Sequence, residues 1–154
     1  MILLIGVEGH SVLGVNIVRP ADVGFSGPHK IRNNGSSTAD PSVRSGIHIS
    51  RSSLTTNRGT EIANNNGPGI VADLNSSLAL LNVTIANNSE QGVRVIRQSV
   101  AGFFSPLTIA GNGGASISCD TTLLVFGELA GIPNLDCSRI ERVLGPPRPG
   151  KVLQ

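Results

Sequence analysis

One motif recurs along this chain at a nearly constant spacing, and it restricts the possible folds more than any other feature. Each copy has an isoleucine, then asparagine within two or three residues, and a nearby glycine. The copies are KIRNNG (30–35), EIANNNG (61–67), TIANNSEQG (84–92) and TIAGNGG (108–114). The isoleucines are at positions 31, 62, 85 and 109, so successive copies differ by 31, 23 and 24 in residue number. A nearly fixed period of this length is typical of a solenoid, in which each repeat packs on its neighbours.

Two further signals keep the same period. Glycines begin the segments GIHI, GIVA, GVRV and GASI, at positions 46, 69, 92 and 114. Polar residues begin the segments SSLTT, SSLALLNVT and QSVAGFFSPLT, at positions 52, 76 and 98. Three signals in phase are a stronger indication of a repeat than any of them alone.

The repeats alternate apolar and small or polar residues with a period of two, which is typical of β-strands. Examples are the pairs Leu78 and Leu80, Val83 and Ile85, and Val93 and Val95. No stretch sustains an amphipathic helix, so helical repeats are excluded. The chain has no Trp or Tyr, 39% hydrophobic residues and a net charge of only +2. This composition disfavours disorder and predicts a core built mainly from aliphatic residues.

Three short strands in each repeat of about 23 residues are what a parallel β-helix requires. The phase IxNN…G-hydrophobic-x-hydrophobic, followed by S-hydrophobic-x-hydrophobic…T-Ile, resembles the right-handed parallel β-helix repeats of the pectate-lyase-like superfamily. The resemblance covers roughly residues 3 to 126, and the segment around Cys119 resembles a last coil with its C-terminal closure. It implies an all-β, right-handed parallel β-helix of about five coils. Equivalent positions in successive coils would then differ by 22 to 24 in residue number.

The organisation along the chain follows from this fold. We expect a β-helix domain over residues 1–137 and a C-terminal cap with a Pro-rich tail over 138–154. The distance from Ser11 to Ser53 exceeds one coil, so we expect two loop insertions, RPADVGFSGP (19–28) and SSTADPSVR (36–44). The apolar opening MILLIGV is too short to span a bilayer and lacks the features of a signal peptide, so it is predicted to be a strand. We therefore expect the chain to be the C-terminal part of a longer β-helix protein.

The repeated asparagines have a structural explanation in such a fold. Coils stack about 4.8 Å apart, so equivalent side chains form columns. A corner asparagine tolerates left-handed backbone, and its amide can bond to the coils above and below. We therefore predict a structural ladder of Asn34, Asn65, Asn88 and Asn112.

Candidate binding residues come from the resemblance, because carbohydrate in this superfamily lies along the strand that follows the glycine. Its outward positions would form one column of His48, Val71, Arg94 and Ser116 and another of Ser50, Asp73, Ile96 and Ser118. The resemblance thus implies a polysaccharide-binding strip of His48, Asp73, Arg94 and Arg97, with Arg51 nearby. The alternative is an ordinary solvated face with a surface ion pair between Asp73 and Arg94.

Catalytic machinery is not evident. The carboxylates are scattered singly, and the Asp-Asp, Gly-His-Gly and Asp-Pro-His-Asp motifs of related hydrolases and epimerases are absent. No catalytic residue is assigned, and the sequence indicates no cofactor and no metal site.

Cys119 and Cys137 are the only cysteines, and their spacing falls within one coil period. They predict a disulfide in the terminal coil rather than a metal site. Two free thiols are the alternative. A disulfide would place the protein outside the cell, in the periplasm or at the cell surface.

The sequence thus favours a non-catalytic extracellular scaffold that binds polysaccharide along one strand face. A fragment of a polysaccharide lyase or epimerase is the first alternative, and a trimeric fibre or adhesin module is the second. The weak net charge and the scarcity of aromatic residues argue against nucleic acid as a partner. We expect no membrane insertion, and a monomer rather than a trimer.

Overall fold

The computed structural model describes residues 2–4, 15–17, 22–25, 29–34, 44–57, 59–119, 124–137 and 140–142. All strand pairings in these segments are parallel. The strands wind into a solenoid with three faces, which confirms the predicted all-β parallel β-helix.

The first face is a six-stranded sheet. Its strands, in spatial order, are β2 (Val15–Ile17), β5 (Ile47–Ser50), β8 (Ile70–Asp73), β10 (Val93–Val95), β12 (Ile117–Cys119) and β14 (Leu135–Asp136). Each strand follows its predecessor by one turn of the solenoid.

A nine-stranded sheet forms the other two faces. The second face holds β1 (Ile2–Leu4), β3 (Asp22–Phe25), β6 (Ser53–Thr56), β13 (Leu124–Gly127) and β15 (Ile140–Arg142), together with the first halves of β9 (Ser77–Ala86) and β11 (Val100–Ala110). The third face holds β4 (Lys30–Arg32), β7 (Thr60–Ala63) and the second halves of β9 and β11. Strands β9 and β11 are long because each runs through the corner between these faces.

The core consists of aliphatic columns that run along the solenoid axis. On the first face, Ile47, Ile70, Val93 and Ile117 pair in sequence and are fully buried. The third face contributes the column of Ile31, Ile62, Ile85 and Ile109, which are also buried. Because the side chains repeat every coil, each layer of the core has nearly the same composition as the next.

The coil length in the middle of the chain agrees with the prediction, since the residue numbers of paired positions differ there by 23 or 24. The coil count among the described residues is lower than the predicted five: three coils with all three faces lie in the segment 44–119, and β2, β3 and β4 supply the three faces of a further coil before them. Further strands extend the faces at both ends, and β1 fulfils the prediction of a strand in the apolar opening. β15 adds a strand within the predicted cap, while residues 143–154 lie outside the described segments.

The first predicted insertion, residues 19–28, is not an insertion. Asp22–Phe25 forms β3 and pairs with β1 and β6, so these four residues are a regular part of the second face, while residues 19–21 and 26–28 lie outside the described segments. This strand was not predicted because its residues, DVGF, do not alternate clearly.

The extra residues of that coil lie later in it. The residue numbers of the paired Ile31 and Ile62 differ by 31, whereas those of Ile62 and Ile85 differ by 23. The residue number rises by 16 from Ile31 to Ile47, but only by eight from Ile62 to its counterpart Ile70. The additional residues therefore lie between β4 and β5, where the second predicted insertion (36–44) was placed, although residues 35–43 are outside the described segments.

Within the described part of the chain there is no helix with the length and hydropathy needed to span a bilayer.

Candidate functional site: the outer side of the first face

The four predicted asparagines form a continuous ladder at the corner after the third face. The Oδ1 of Asn88 accepts hydrogen bonds from both the backbone N–H and the side-chain amide of Asn65, at 3.1 and 2.8 Å. Asn34 donates to Asn65 in the same way, and Asn88 donates to Asn112. Each amide therefore satisfies groups on a neighbouring coil, and its role is structural.

We expected the ladder asparagines themselves to have left-handed backbone. Instead, the residue before each ladder asparagine has it. Asn33, Asn64 and Asn87 have φ values of 58°, 55° and 55°, and Gly111 has 66°. Asparagine and glycine tolerate this conformation best, which explains the doubled asparagine of the motif. The first member of each pair turns the chain, and the second forms the ladder.

A second ladder lies at the corner between the first and second faces. The backbone N–H of Ser76 donates to the hydroxyl of Ser99 at 3.1 Å, and that of Ser52 donates to the hydroxyl of Ser76 at 3.4 Å. All three serines are buried. This ladder was not predicted, although the repeated serine at 52 and 76 in the polar start of these segments was a usable signal.

The outer column of the first face is His48, Val71, Arg94 and Ser118. Ser116 does not belong to it, because Val93 pairs with Ile117 and thus places Ser116 beside Gly92. The prediction was wrong by two residues because it aligned Gly114 with Gly92. The asparagine ladder, which keeps Asn88 and Asn112 in register, is the better anchor.

The outer side of β5 and β8 is buried, so the alternative of an ordinary solvated face is wrong for these two strands. His48 and Asp73 are 8% and 4% exposed, and Ser50 and Val71 are equally covered. Arg94 on β10 is half-buried, and Arg97 at the following corner is exposed. The accessible cations of the predicted strip therefore lie at its C-terminal side.

Asp73 pairs with Arg97 rather than with Arg94. Arg97 donates from Nε to Oδ1 of Asp73 at 2.5 Å and from its terminal nitrogen to Oδ2. The Arg97 side chain keeps 60% of its surface exposed, whereas the Asp73 side chain keeps 5%. A buried carboxylate thus holds an exposed guanidinium through a two-point contact, which fixes its orientation.

This contact also affects the protonation of Arg97. The hydrogen bond that Arg97 donates to Asp73, together with the negative charge of that carboxylate, raises the pKa of Arg97 above the ordinary arginine value. His48 also lies near this carboxylate, with Nε2 3.8 Å from Oδ2 of Asp73. The structure therefore places His48 and Arg97 beside the carboxylate of Asp73, while Arg94 occupies the adjoining column.

Cys119 and Cys137 are bonded to each other, with their Cα atoms 4.8 Å apart. Ser118 pairs with Asp136, so the two cysteines occupy the same position on successive coils. The last coil is 18 residues long at this column, which explains why the cysteine spacing is shorter than the period. The disulfide links the last two strands of the first face.

Among the described residues, no three His, Cys, Asp or Glu side chains come close enough together to hold a metal ion.

Parallel pairing, a period of about 23 residues, a three-sided core and an asparagine ladder define a β-helix protein. The sequence profile described as the right handed beta helix region matches residues 8–123. The chain therefore belongs to the right-handed β-helix family. No curated protein and no solved structure matches it.

Proposed function

We propose that this protein is a non-catalytic extracellular scaffold that binds an acidic polysaccharide along the outer side of the first face. The observation that carries the proposal is the exposed guanidinium of Arg97, held in place by the buried carboxylate of Asp73. A guanidinium whose orientation is fixed before binding loses little conformational entropy when it binds an anion.

The guanidinium of Arg97 suits an acidic sugar. Its contact with Asp73 runs through Nε and one terminal nitrogen and fixes the plane of the group. Arginine binds the carboxylate of a uronic acid with two parallel hydrogen bonds. Arg94, three residues earlier on β10, offers a second guanidinium.

His48 and Asp73 have a supporting role in this proposal. Both side chains are almost fully buried, so a sugar chain on this face would contact the arginines. Asp73 orients Arg97, and His48 packs beside Asp73. An isolated buried carboxylate is unfavourable, so Asp73 depends on these neighbours as much as they depend on it.

The test is affinity electrophoresis through gels that contain a polyuronate, with the Arg97→Gln and Arg94→Gln variants. Lys30→Gln is the matched control, because it also removes one positive charge but lies exposed on the third face. We expect the polyuronate to retard the wild-type protein and Lys30→Gln alike, and to retard the arginine variants several-fold less. Equal weakening by Lys30→Gln would indicate nonspecific charge attraction and would refute the proposed site. A glycan array then identifies the sugar.

A polysaccharide lyase or epimerase is the second candidate, and the pairing of His48 with Asp73 favours it. A histidine beside a carboxylate is a common arrangement for proton transfer. The low exposure of His48 argues against direct contact with a substrate. Incubation with polyuronate and calcium, followed by absorbance of the unsaturated product, tests for a lyase, and NMR of the recovered polymer tests for epimerisation. Product that disappears in His48→Ala would favour the enzyme over the scaffold.

The proposal takes the protein as a monomer that acts outside the cell. Light scattering checks the first point, since a trimer would favour the fibre or adhesin alternative.

A further inference from the structure

The last coil lacks a strand on its third face. From Val93 to Ile117, which share a column, the residue number rises by 24, whereas from Ile117 to Leu135 it rises by only 18. The first two faces of this coil are present as β12 and β13. The six missing residues therefore belong to the third face, between β13 and β14.

This shortening leaves one edge of β11 unpaired. Residues 107–110 pair with β9, and no other strand in the described segments pairs with them. The carbonyl of Ala110 accepts from the N–H of Asn87 at 3.2 Å, so Ala110 faces β9. Backbone groups alternate along a parallel strand, and those of Ile109 therefore face the opposite side, where no strand of the described segments lies. A strand edge without a partner is a template for another strand.

The asparagine ladder also ends here with unused groups. In the coils below, the carbonyls of Ile31, Ile62 and Ile85 each accept from the side-chain amide of the next asparagine. Within the described part of the chain, no asparagine side chain donates to the carbonyl of Ile109. The backbone N–H of Asn112 likewise has no following Oδ1 to donate to in these segments, unlike that of Asn88.

A cleft of about 430 Å³ adjoins this edge. It is lined by Ser105 and residues 107–110 of β11, and by Glu128 and residues 130–133 of the shortened coil. Its size falls within the range of ligand sites. Glu128 is exposed and is the only acidic residue of this lining. Its backbone N–H donates to Phe103, so the main chain at this position is fixed.

We propose that this cleft binds an extended peptide that adds the missing strand to the third face. The ligand follows the pattern of the repeat itself, a cation followed by Ile-x-x-Asn. The N–H of the residue after its isoleucine donates to the carbonyl of Ile109, as the N–H of Ala110 does to Ile85 in the parallel ladder. Its asparagine accepts from Asn112 and donates to Ile109, which continues the ladder by one step. Its cation meets Glu128.

The chain contains a suitable probe sequence, KIRNNG (30–35), whose first three residues form β4 at the other end of the third face. We therefore test the capped, fluorescently labelled peptide KIRNNG against the full chain by fluorescence anisotropy. We expect saturable binding, and a loss of roughly tenfold or more when the second asparagine becomes leucine, since several hydrogen bonds are lost.

Two N-methylated peptides examine the strand geometry without altering the protein. Methylation of the arginine amide removes the donor to Ile109 and is expected to abolish binding. Methylation of the isoleucine amide affects the opposite edge and is expected to leave binding unchanged. Equal effects of the two modifications would overturn the proposal.

Two protein variants examine the location. Glu128→Lys is expected to weaken binding several-fold. The matched control, Asp136→Lys, makes the same charge change at an exposed residue of the first face and is expected to have no effect. Absence of saturable binding up to about 1 mM, or self-association of the chain that the peptide does not inhibit, would refute the proposal. None of these outcomes depends on whether the first face binds polysaccharide.

Discussion

Gly69 lies directly against the side-chain amide of Asn88 in the next coil: a Cβ added at Gly69 would be 2.8 Å from Nδ2 of Asn88. The same atom would lie 2.6 Å from the carbonyl oxygen of Gly92. Gly46 and Gly92 have the same relationship with Asn65 and Asn112. Glycine on one coil thus provides the space that the asparagine of the next coil occupies, and the two sequence signals share a period for this reason.

The first prediction concerns this close packing. Gly69→Ala should lower the free energy of unfolding by about 3 kcal/mol, because the surrounding backbone cannot move away from the added methyl group. Gly24→Ala is the control, since nothing lies within 4 Å of a Cβ at that position. It should be neutral or stabilising by up to about 1 kcal/mol. Urea denaturation measures both, and similar midpoints for the two variants would contradict the steric argument.

The second prediction concerns the position of an asparagine within its ladder. Asn88→Ala should destabilise the protein by about 3 kcal/mol, because the buried donors of Asn65 and the carbonyl of Ile62 lose their partner. Asn112→Ala should cost less, since Asn112 is half-buried and has a ladder partner on one side only among the described residues. Chemical denaturation of both variants gives the comparison.

Asn87→Gly is the control for that experiment. Asn87 is exposed and has a φ of 55°, a conformation that glycine adopts without strain. We expect a change within about 0.5 kcal/mol of zero. If Asn112→Ala proved as costly as Asn88→Ala, a one-sided role for Asn112 would be wrong.

The third prediction concerns the disulfide. Reduction of Cys119–Cys137, which closes a separation of 18 residues, should lower stability by about 3 kcal/mol through the added entropy of the unfolded chain. Denaturation with and without a reducing agent measures the loss. The Cys119→Ser, Cys137→Ser double variant should match the reduced protein and show no response to the reducing agent. A response in that variant would mean that the agent acts elsewhere.

The fourth prediction concerns pH and rests on the proposed polysaccharide site. Because the pKa of Arg97 is raised, its charge is fully present below the ordinary arginine value and is lost only above it. Binding that depends on Arg97 should therefore stay constant between about pH 7 and 10. Arg97→Lys should bind more weakly at about pH 10.4, where half of an ordinary lysine is neutral. Affinity electrophoresis at several pH values provides the measurement, and a wild-type decrease across this range would refute dependence on Arg97.

Much of the fold could be predicted because the residues that recur with the period occupy positions that few other residues can fill. Asn88 has a partner on each adjacent coil, and Gly69 has no space for a side chain, so both recur. Strand β3 was missed because Asp22–Phe25 carries neither signal. The register error at Ser116 arose where the glycine column gives way to serine in the shorter, irregular end of the stack.

The candidate site was harder to predict. The sequence placed His48, Asp73 and Arg94 on the outer side of the first face, but it could not show that the first two are buried. Burial of an outward position depends on contacts outside its own strand. The choice of Arg97 over Arg94 as the partner of Asp73 depends likewise on the corner geometry, where Arg97 and Gln98 both have positive φ. No periodic pattern encodes that choice.

The ladder has a consequence for the modularity of this protein. Asn65 and Asn88 have the same environment, so the chain from one to the other is an interchangeable unit of 23 residues. An in-frame deletion of such a unit would bring together surfaces that already match, and a duplication would do the same. The length of the solenoid can thus change in whole steps without any redesign of its interior.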